Sequence, residues 1–338
     1  MTDKCKLDAE KITNQGFTDM GKLRSQRSTV AGFNPHWAYA HHAYIAFYKG
    51  KWYIAWSSGK VNEDDLGQRI LYAVSEDALN WSKPKVMMDS YRGIYSETVL
   101  SCYGFYEADG VLYLYITMQE FKPESLLENG TLRPDGEHSG DVLYRHRYVM
   151  STEDGQNWTE AVRCEWGGGT QCVSMCLNGR RFFFDMTDAF YNDGTDPLCW
   201  KKTGLSDEQV KSANDRGAVL LCEAAGYMTD DGVIHMLNRS NAGRLWLSES
   251  YDNGENWSDS FPTGFLVESS QFNVGRLPDG RYYIVSNGQK HPTWDRKELY
   301  LYISEDGFLF DKRYTVRDED DYKIMQKGLA KGGAFACS

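Results

Sequence analysis

Two adjacent histidines and a set of arginines are the side chains of this 338-residue chain best suited to chemistry on an acidic ligand. His41 and His42 follow one another, and an imidazole titrates near neutral pH, so either can accept or donate a proton. Tyr103 and Tyr106 offer a phenol for the same purpose. Arginine grips a carboxylate through two parallel hydrogen bonds. These residue types therefore fit proton transfer on an anionic molecule.

Further side chains are candidates for binding such a molecule because they lie near the expected strand ends. They are Arg239, Arg244, Arg145, Arg147, Arg296, Glu63, Gln68, Arg69, Trp37, Tyr191, His291 and Lys331. The aromatic members can stack on sugar rings, and the cations can neutralise a carboxylate. In the alternative interpretation, arginines at strand starts pair with acidic neighbours on a solvated rim. A histidine on an inner strand is likewise often a satisfied core residue.

A short pattern repeats four times and indicates the elements that position these residues. It consists of Ser or Thr, then Asp two residues later, then a closing aromatic residue, over 75–81, 152–158, 250–257 and 304–310. Each copy ends a strand of alternating apolar residues. The short carboxylate can accept hydrogen bonds from the amides of its own turn. The four aspartates of these Asp boxes are therefore predicted to be structural.

A second repeat predicts the blades. Five glycine turns separate pairs of apolar strands, at Gly50, Gly110, Gly179, Gly232 and Gly280. They recur about 50 to 70 residues apart, the length of a four-stranded blade. The predicted blades span about 41–81, 95–158, 164–210, 219–257 and 268–310, the third without an Asp box. We expect a sixth blade from 1–40 and 311–338, because pairing of the two terminal segments would remove the free sheet edges. Seven blades are the second choice.

The sequence thus predicts an all-β protein, with 1–338 forming a single β-propeller domain of four-stranded antiparallel blades. In such a blade the first strand starts near the axis, and the loop between the second and third strands opens on the same face. The Asp-box turns lie on the opposite face. We therefore expect the site at the strand starts, where strand alternation would turn only one of His41 and His42 toward the axis.

The Asp boxes carry a family resemblance, together with 238–257 and the turn 276–280. They resemble the sialidase (BNR repeat) superfamily over most of the chain. That resemblance implies an arginine triad, an early Arg-Ile-Pro motif, a tyrosine nucleophile and an aspartate acid/base. No Arg-Ile-Pro occurs in this sequence, which weakens a sialidase assignment.

The first blade is instead similar to propeller enzymes that cut between rhamnose and glucuronate, including ulvan lyases and rhamnosyl-glucuronate lyases. The similarity covers 41–57 and 62–69. It implies His41 or His42 as base, Tyr103 or Tyr106 as acid, and Arg239 or Arg244 on the substrate carboxylate. The expected function is cleavage of a glycosidic bond beside a uronate-type sugar, by β-elimination or by hydrolysis. An exo-sialidase-type retaining glycosidase and a non-catalytic glycan-binding propeller are the alternatives.

Charge and composition restrict the partners. The net charge of −11 argues against an extended nucleic-acid surface and against an anionic membrane, and favours an acidic oligosaccharide bound in a local basic pocket. The first residues are not those of a signal peptide, so a cytoplasmic location is expected. The eight cysteines form no CxxC pair and are expected to be mostly buried thiols. No cofactor or metal is predicted, although a divalent cation that supports the fold is left open, as is the oligomeric state.

Overall fold

The strands of the described residues form five sheets, each built around four consecutive antiparallel strands. The computed structural model describes residues 2–32, 34–133, 142–166, 173–288 and 296–321. Within each set of four the strands lie side by side in chain order, and one sheet gains a fifth, parallel strand from the N-terminal segment. This architecture confirms the predicted propeller of four-stranded blades.

The bounds of the strands follow the predicted repeats. The first blade consists of β2 (Tyr39–Tyr48), β3 (Lys51–Gly59), β4 (Arg69–Ser75) and β5 (Lys85–Met88), after a separate strand β1 (Thr18–Lys22). The second consists of β6 (Val99–Ala108), β7 (Val111–Phe121), β8 (Val142–Thr152) and β9 (Val162–Arg163). The third consists of β10 (Val173–Leu177), β11 (Arg180–Asp185), β12 (Asp188–Asn192) and β13 (Lys201–Gly204).

The last two blades complete the described strands. The fourth blade consists of β14 (Leu221–Met228), β15 (Ile234–Ser240), β16 (Arg244–Ser250) and β17 (Phe261–Leu266). The fifth consists of β18 (Asn273–Arg276), β19 (Tyr282–Asn287), β20 (Leu299–Ser304) and β21 (Lys312–Arg317). Helices are α1 (Thr2–Lys11) and α2 (Asp207–Ala213), followed by a π-helical turn at Asn214–Ala218, with a 3-10 turn at Pro123–Ser125.

The prediction of six or seven blades was wrong, because the described strands form five blades and the described parts of the terminal segments add no further one. The C-terminal segment from 311 was expected to join the sixth blade, but its first strand, β21, is the fourth strand of the fifth blade. Within the described part of the N-terminal segment, α1 packs on β16 and β17, and β1 adds to β21 as a parallel fifth strand. The N-terminal segment therefore acts as a strap over the outer strands of blades four and five.

The strap continues to the first blade. Thr13 bridges Gly264 of the fourth blade and Leu309 of the fifth. The hydroxyl of Ser28 then donates a hydrogen bond to the carbonyl of Ala78 and accepts one from the indole of Trp81, both in the first Asp-box turn. The terminal segment thus links three blades without forming one.

The core lies between neighbouring sheets. One cluster joins Leu245, Leu247 and Phe265 of the fourth blade to Tyr282 and Ile284 of the fifth. Similar clusters join the third blade to the fourth and the second to the third. All six described cysteines are free thiols, and four of them are buried. Among the described residues, no helix is long and apolar enough to cross a membrane.

The Asp boxes have the predicted structural role. Oδ1 of Asp154 accepts hydrogen bonds from the amides of Gln156 and Asn157, both at 2.8 Å. Its other oxygen accepts the Asn157 side-chain amide at 2.6 Å, and the Thr152 hydroxyl donates to Oδ1 at 3.1 Å. Asp77, Asp252 and Asp306 make the same kind of contacts. Each carboxylate therefore accepts hydrogen bonds from the amides of its own turn and stabilises that turn.

The third blade forms a comparable turn from a different sequence. Asn192 takes the place of the box aspartate: its side-chain oxygen accepts the amide of Gly194, and its NH₂ group donates to the carbonyl of Asp196. Trp200 is the closing aromatic, and its indole donates to the carbonyl of Pro197 three residues earlier. In the first box, Trp81 donates to Ala78 with the same spacing. The turn geometry is therefore kept without the box sequence.

We expect Asp154→Ala to lower the melting temperature by several degrees while leaving any activity unchanged, because its contacts are confined to a turn far from the strand starts. Thermal unfolding followed by circular dichroism measures the effect. Glu153→Ala is the matched control, because that neighbouring side chain is exposed and lies outside the turn's hydrogen bonds. Equal melting temperatures for the two variants would contradict the structural role.

The same aspartate predicts a pH effect on stability. Hydrogen bonds from the amides of Asn157 and Gln156 hold the pKa of Asp154 well below its ordinary value. A carboxyl with a depressed folded-state pKa stabilises the fold above its unfolded pKa of about 4, and this contribution is lost as the pH falls below that value. We expect the stability difference between the wild type and Asp154→Asn to shrink as the pH is lowered from 6 toward 2, measured by urea unfolding. A difference that grows with acidification would contradict this.

Candidate functional site

The candidate site lies on the face where the first strands begin. In blade one, Tyr39 pairs with Gly59, and Ser58 pairs with Arg69, so the loop 60–68 opens beside the start of β2. At the other end of the same strands, Trp52 pairs with Ser75, which leads into the Asp box. The predicted separation of the two faces is therefore present in the structure.

A β-bulge near the start of β2 changes how the two histidines point. The pairing register shifts between His41 and Tyr44, and His42 has a left-handed backbone with φ of 50°. Such a bulge interrupts strand alternation. The rings of His41 and His42 consequently lie side by side, with centroids 3.7 Å apart. The expectation that they would point to opposite sides was wrong for this reason.

Glu63 completes a cluster with the two histidines. Its Oε1 lies 3.1 Å from Nδ1 of His41 and 3.7 Å from Nε2 of His42. The His42 side chain is only 2% exposed, whereas that of Glu63 is 48% exposed. We call these three residues the His-His-Glu cluster. It presents one carboxylate to solvent with two buried imidazoles behind it.

The loop that carries Glu63 is fixed by its own polar side chains. Asp65 accepts hydrogen bonds from the amides of Val61 and Asn62 at 2.7 and 2.6 Å. The buried amide of Gln68 accepts the backbone N–H of Asp64 and donates to the carbonyl of Leu100 in the second blade. Gln68, predicted to bind substrate, therefore anchors the loop instead.

Burial and neighbouring charges set the ionisation of the cluster. Burial, assisted by the charge of His41, lowers the pKa of His42 to about 3. For Glu63, burial alone would raise the pKa, but the hydrogen bond to His41 and the charges of His41, His42 and Arg296 outweigh it, and the pKa is lowered. The cluster thus holds an ionised carboxylate next to a neutral imidazole at pH 7.

The neighbouring Asp64 faces the second blade. Its pKa is raised by burial and by the charge of Glu63, against the opposing effects of Arg145, His41 and Gln119. The guanidinium of Arg145 donates a hydrogen bond to the side chain of Gln119 at 2.8 Å. Arg145 is therefore held near a carboxylate of the first blade.

A second buried group lies between blades two and three. The guanidinium of Arg147 is fully buried, 3.4 Å above the ring of Tyr103 and 3.7 Å from a carboxylate oxygen of Asp185. Burial raises the pKa of Asp185, although a hydrogen bond from Tyr103 and the charges of Arg147 and Arg145 oppose this. Tyr103 is itself fully buried. Arg147 is buried, so it cannot contact a substrate directly, although it was predicted to do so.

Blades four and five contribute linked arginines. A guanidinium nitrogen of Arg239 lies 2.6 Å from Glu223, and Nε of Arg239 donates to the hydroxyl of Ser269. Arg296 donates to the carbonyl of the same Ser269 at 2.8 Å. Glu223 lies at another bulge, with φ of 50°, near the start of β14. The charge of Arg296 also helps to lower the pKa of Glu63 in the first blade.

A groove opens beside the His-His-Glu cluster. Its volume is about 580 Å³, and Glu63 lies on its wall. One side is the loop with Lys60, Asn62 and Asp65, and the other side is the second-blade segment with Thr131 and Arg133. This volume is within the range of small-ligand sites.

The structure separates several predicted residues from this group. Tyr106 lies near the far end of β6 among Tyr113, Phe183 and Trp200, and Tyr191 donates its hydroxyl to Glu255 in the fourth-blade Asp box. Both therefore lie toward the Asp-box face. Tyr191 was misplaced because β11 and β12 are joined by a tight turn, so Asp188–Asn192 is a strand and not a loop.

Three more predicted residues have other partners. Arg244 donates to the carbonyl of Thr263 on the outer strand of its blade. The guanidinium of Arg69 stacks on Trp37, 3.7 Å from the ring centre, so these two residues pair with each other beside the first strand. His291 and Lys331 lie outside the described residues.

Sequence reasoning missed part of the arrangement. It gave no role to Asp64 and Asp185, whose neighbours come from another blade, or to Gln119, whose partner Arg145 follows a long loop. It assigned Glu63 to substrate binding and not to the histidines. The acidic run Glu63-Asp64-Asp65, in the loop that opens beside the start of the His41-His42 strand, was the one sequence signal for this cluster.

The fold and the site together define the class of protein: a five-bladed Asp-box propeller with a cluster of ionisable side chains at the starts of its inner strands. The chain belongs to the family of BNR repeat-like domains, whose model matches residues 50–329. This confirms the resemblance to the sialidase-like superfamily. No curated protein matches the chain in sequence.

Solved structures with the same fold include enzymes. The chain is similar to the intramolecular trans-sialidase of Ruminococcus gnavus, with a TM-score of 0.62, 12% identity and coverage of 86% of this chain and 87% of the other. For the NanB sialidase of Streptococcus pneumoniae the TM-score is 0.60 at 15% identity, with 87% of this chain covered. The match spans only 64% of the NanB chain. A protein of unknown function from Dyadobacter fermentans gives a TM-score of 0.60 at 16% identity, with 85% of each chain covered.

Arg145 and Arg147 are two residues apart on β8, and comparing their variants tests whether Arg147 is buried. We expect Arg147→Ala to destabilise the fold by about 3–5 kcal/mol, because it leaves Asp185 buried without its cation. The exposed Arg145→Ala should cost no more than about 0.5 kcal/mol. Urea unfolding of both variants measures the difference. Similar free energies of unfolding for the two would contradict the buried position of Arg147.

Proposed function

We propose that this protein is a carbohydrate-active enzyme that cleaves a glycosidic bond beside an acidic sugar. The observation that carries the proposal is the groove of about 580 Å³ with Glu63 of the His-His-Glu cluster on its wall. It combines a space of the size of a small ligand with ionisable groups at one end. Two structural relatives are named as a sialidase and a trans-sialidase, so the same fold serves glycan chemistry elsewhere.

The preference for an acidic sugar rests on the local charge. The chain as a whole carries a net charge of −11, but Arg145, Arg239 and Arg296 lie on the site face. Arginine in a partly desolvated pocket binds carboxylates strongly. Arg296 donates to the carbonyl of Ser269, whose hydroxyl accepts from Arg239, and its charge helps to lower the pKa of Glu63. We therefore assign the substrate carboxylate to Arg296, with Arg239 beside it.

The His-His-Glu cluster is the proposed catalytic centre. Cleavage beside a uronate, by elimination or by hydrolysis, needs groups that move a proton and stabilise developing negative charge. The bulge at His42 brings the two imidazoles together with Glu63, the member of the cluster that lies on the groove wall. Tyr103 is fully buried beneath Arg147, so we assign it to positioning the site and not to contact with the substrate.

A panel of acidic oligosaccharides analysed by mass spectrometry tests the proposal. We expect cleavage of a uronate-containing oligosaccharide. A product lighter by one water than the hydrolysis product identifies elimination, whereas the full hydrolytic mass with a free reducing end identifies hydrolysis. Release from an aryl sialoside alone would favour the sialidase alternative. Binding of the panel without turnover would favour a glycan-binding propeller and contradict the proposal.

Once a substrate is found, the catalytic centre can be tested directly. We expect the double variant His41→Ala, His42→Ala to lose at least about 100-fold in kcat/KM, the usual range for a group in proton transfer or charge stabilisation. Arg296→Ala should raise KM more than it lowers kcat. His36→Ala is the matched control, because this exposed histidine lies in the segment before β2. A double variant as active as the control would remove the cluster from the mechanism.

A further inference from the structure

We propose that the His-His-Glu cluster binds one divalent transition-metal ion. The ligand atoms would be Nδ1 of His41, Nε2 of His42 and a carboxylate oxygen of Glu63. One such atom from each residue lies within 4.8 Å of the others. The binding itself is independent of the substrate, whereas the ion's part in the reaction rests on the proposed function.

The distances fit an ion placed between the three side chains. Oε1 of Glu63 lies 3.1 Å from Nδ1 of His41 and 3.7 Å from Nε2 of His42. Zinc binds nitrogen and oxygen at about 2.0–2.2 Å, so two ligand atoms around a tetrahedral ion are about 3.3–3.6 Å apart. The observed separations bracket this range. All three ligand atoms lie within 4.8 Å of one another, so rotation of the side chains can close the set around one ion.

The state of His42 is the independent observation that points to a ligand. Its side chain is 2% exposed. Neither of its ring nitrogens forms a hydrogen bond within the described part of the chain. Buried polar groups are nearly always satisfied, and one that is not calls for an ion or a water. A metal bound to Nε2 would satisfy the nitrogen that faces Glu63.

The backbone supports the same conclusion. His42 has φ of 50°, a left-handed conformation that costs energy for a residue with a side chain. This strain turns the second ring to the same side as the first. The bulge therefore lets two adjacent residues of one strand offer ring nitrogens to the same ion.

The donor set indicates the kind of metal. Two imidazoles and one carboxylate suit Zn²⁺, Fe²⁺, Co²⁺ or Mn²⁺, whereas Ca²⁺ and Mg²⁺ prefer sites made of oxygen. Three protein ligands leave a coordination position open, as in catalytic sites. Glu63 lies on the groove wall, so this position would be on the side where a substrate enters. The charge of Arg296 opposes the ion, and the carboxylate of Asp64 beside Glu63 favours it.

Metal binding can be measured without a substrate. The purified protein is dialysed against a chelator and titrated with ZnCl₂ by calorimetry, with the bound metal counted by mass spectrometry. We expect one Zn²⁺ per chain. Loading with Co²⁺ should give the visible absorption bands of a low-coordinate nitrogen and oxygen site.

Variants assign the ligands. We expect His42→Ala and Glu63→Gln to weaken Zn²⁺ binding by at least about tenfold. His36→Ala should bind like the wild type, because it removes an exposed histidine outside the cluster. Glu63→Gln changes little in shape and leaves the loop contacts of Asp65 and Gln68 in place, so it separates loss of a ligand from loss of fold. Circular dichroism spectra check the fold of each variant.

The outcomes separate the two proposals. Absence of stoichiometric Zn²⁺ and Co²⁺ binding, or binding that is unchanged in His42→Ala and Glu63→Gln, would overturn the metal site. One bound ion that both variants lose would support it, whether or not any oligosaccharide is cleaved. Cleavage by the chelated protein at the full rate would leave the proposed function intact and assign the cluster to chemistry without a metal.

Discussion

The left-handed backbone at His42 is the constraint on which the candidate site depends. A regular strand would place the rings of His41 and His42 on opposite sides of the sheet. The bulge places them 3.7 Å apart and turns both toward Glu63. The loop that carries Glu63 is in turn fixed by Asp65 and Gln68, so two separate segments of blade one must fold correctly for the cluster to exist.

Bulges recur on the inner strands and have a common consequence. The register also shifts in β6 between Cys102 and Gly104 and in β14 between Cys222 and Ala225. Tyr103 and Glu223 lie within these irregular stretches, and each contacts an ionisable partner from another strand. These irregular stretches lie toward the face that collects ionisable side chains, and bulges are common near functional sites.

The polar groups on the two faces of the propeller differ in where their partners come from. On the Asp-box face, each carboxylate is satisfied by the amides of its own turn, so the hydrogen bonds are local and independent of other blades. At the strand starts, ionisable groups depend on partners from other strands and loops, within a blade for Glu63 and His41 and between blades for Arg147 and Asp185. The first arrangement stabilises the fold. The second holds charges in a partly buried place, where they interact strongly with one another and with a ligand.

The sequence by itself determined the features that depend on neighbours along the chain. The Asp boxes, the glycine turns and the alternating strands are local patterns, and they were enough to predict the propeller and to separate its two faces. Tertiary structure decided what depends on partners far apart in sequence. The blade count changed because β21 completes a sheet and the N-terminal segment forms a strap, and neither pairing has a local signal. The orientation of His42, the displacement of Tyr191 to the other face and the burial of Arg147 likewise follow from register and inter-blade packing, which only the folded chain defines.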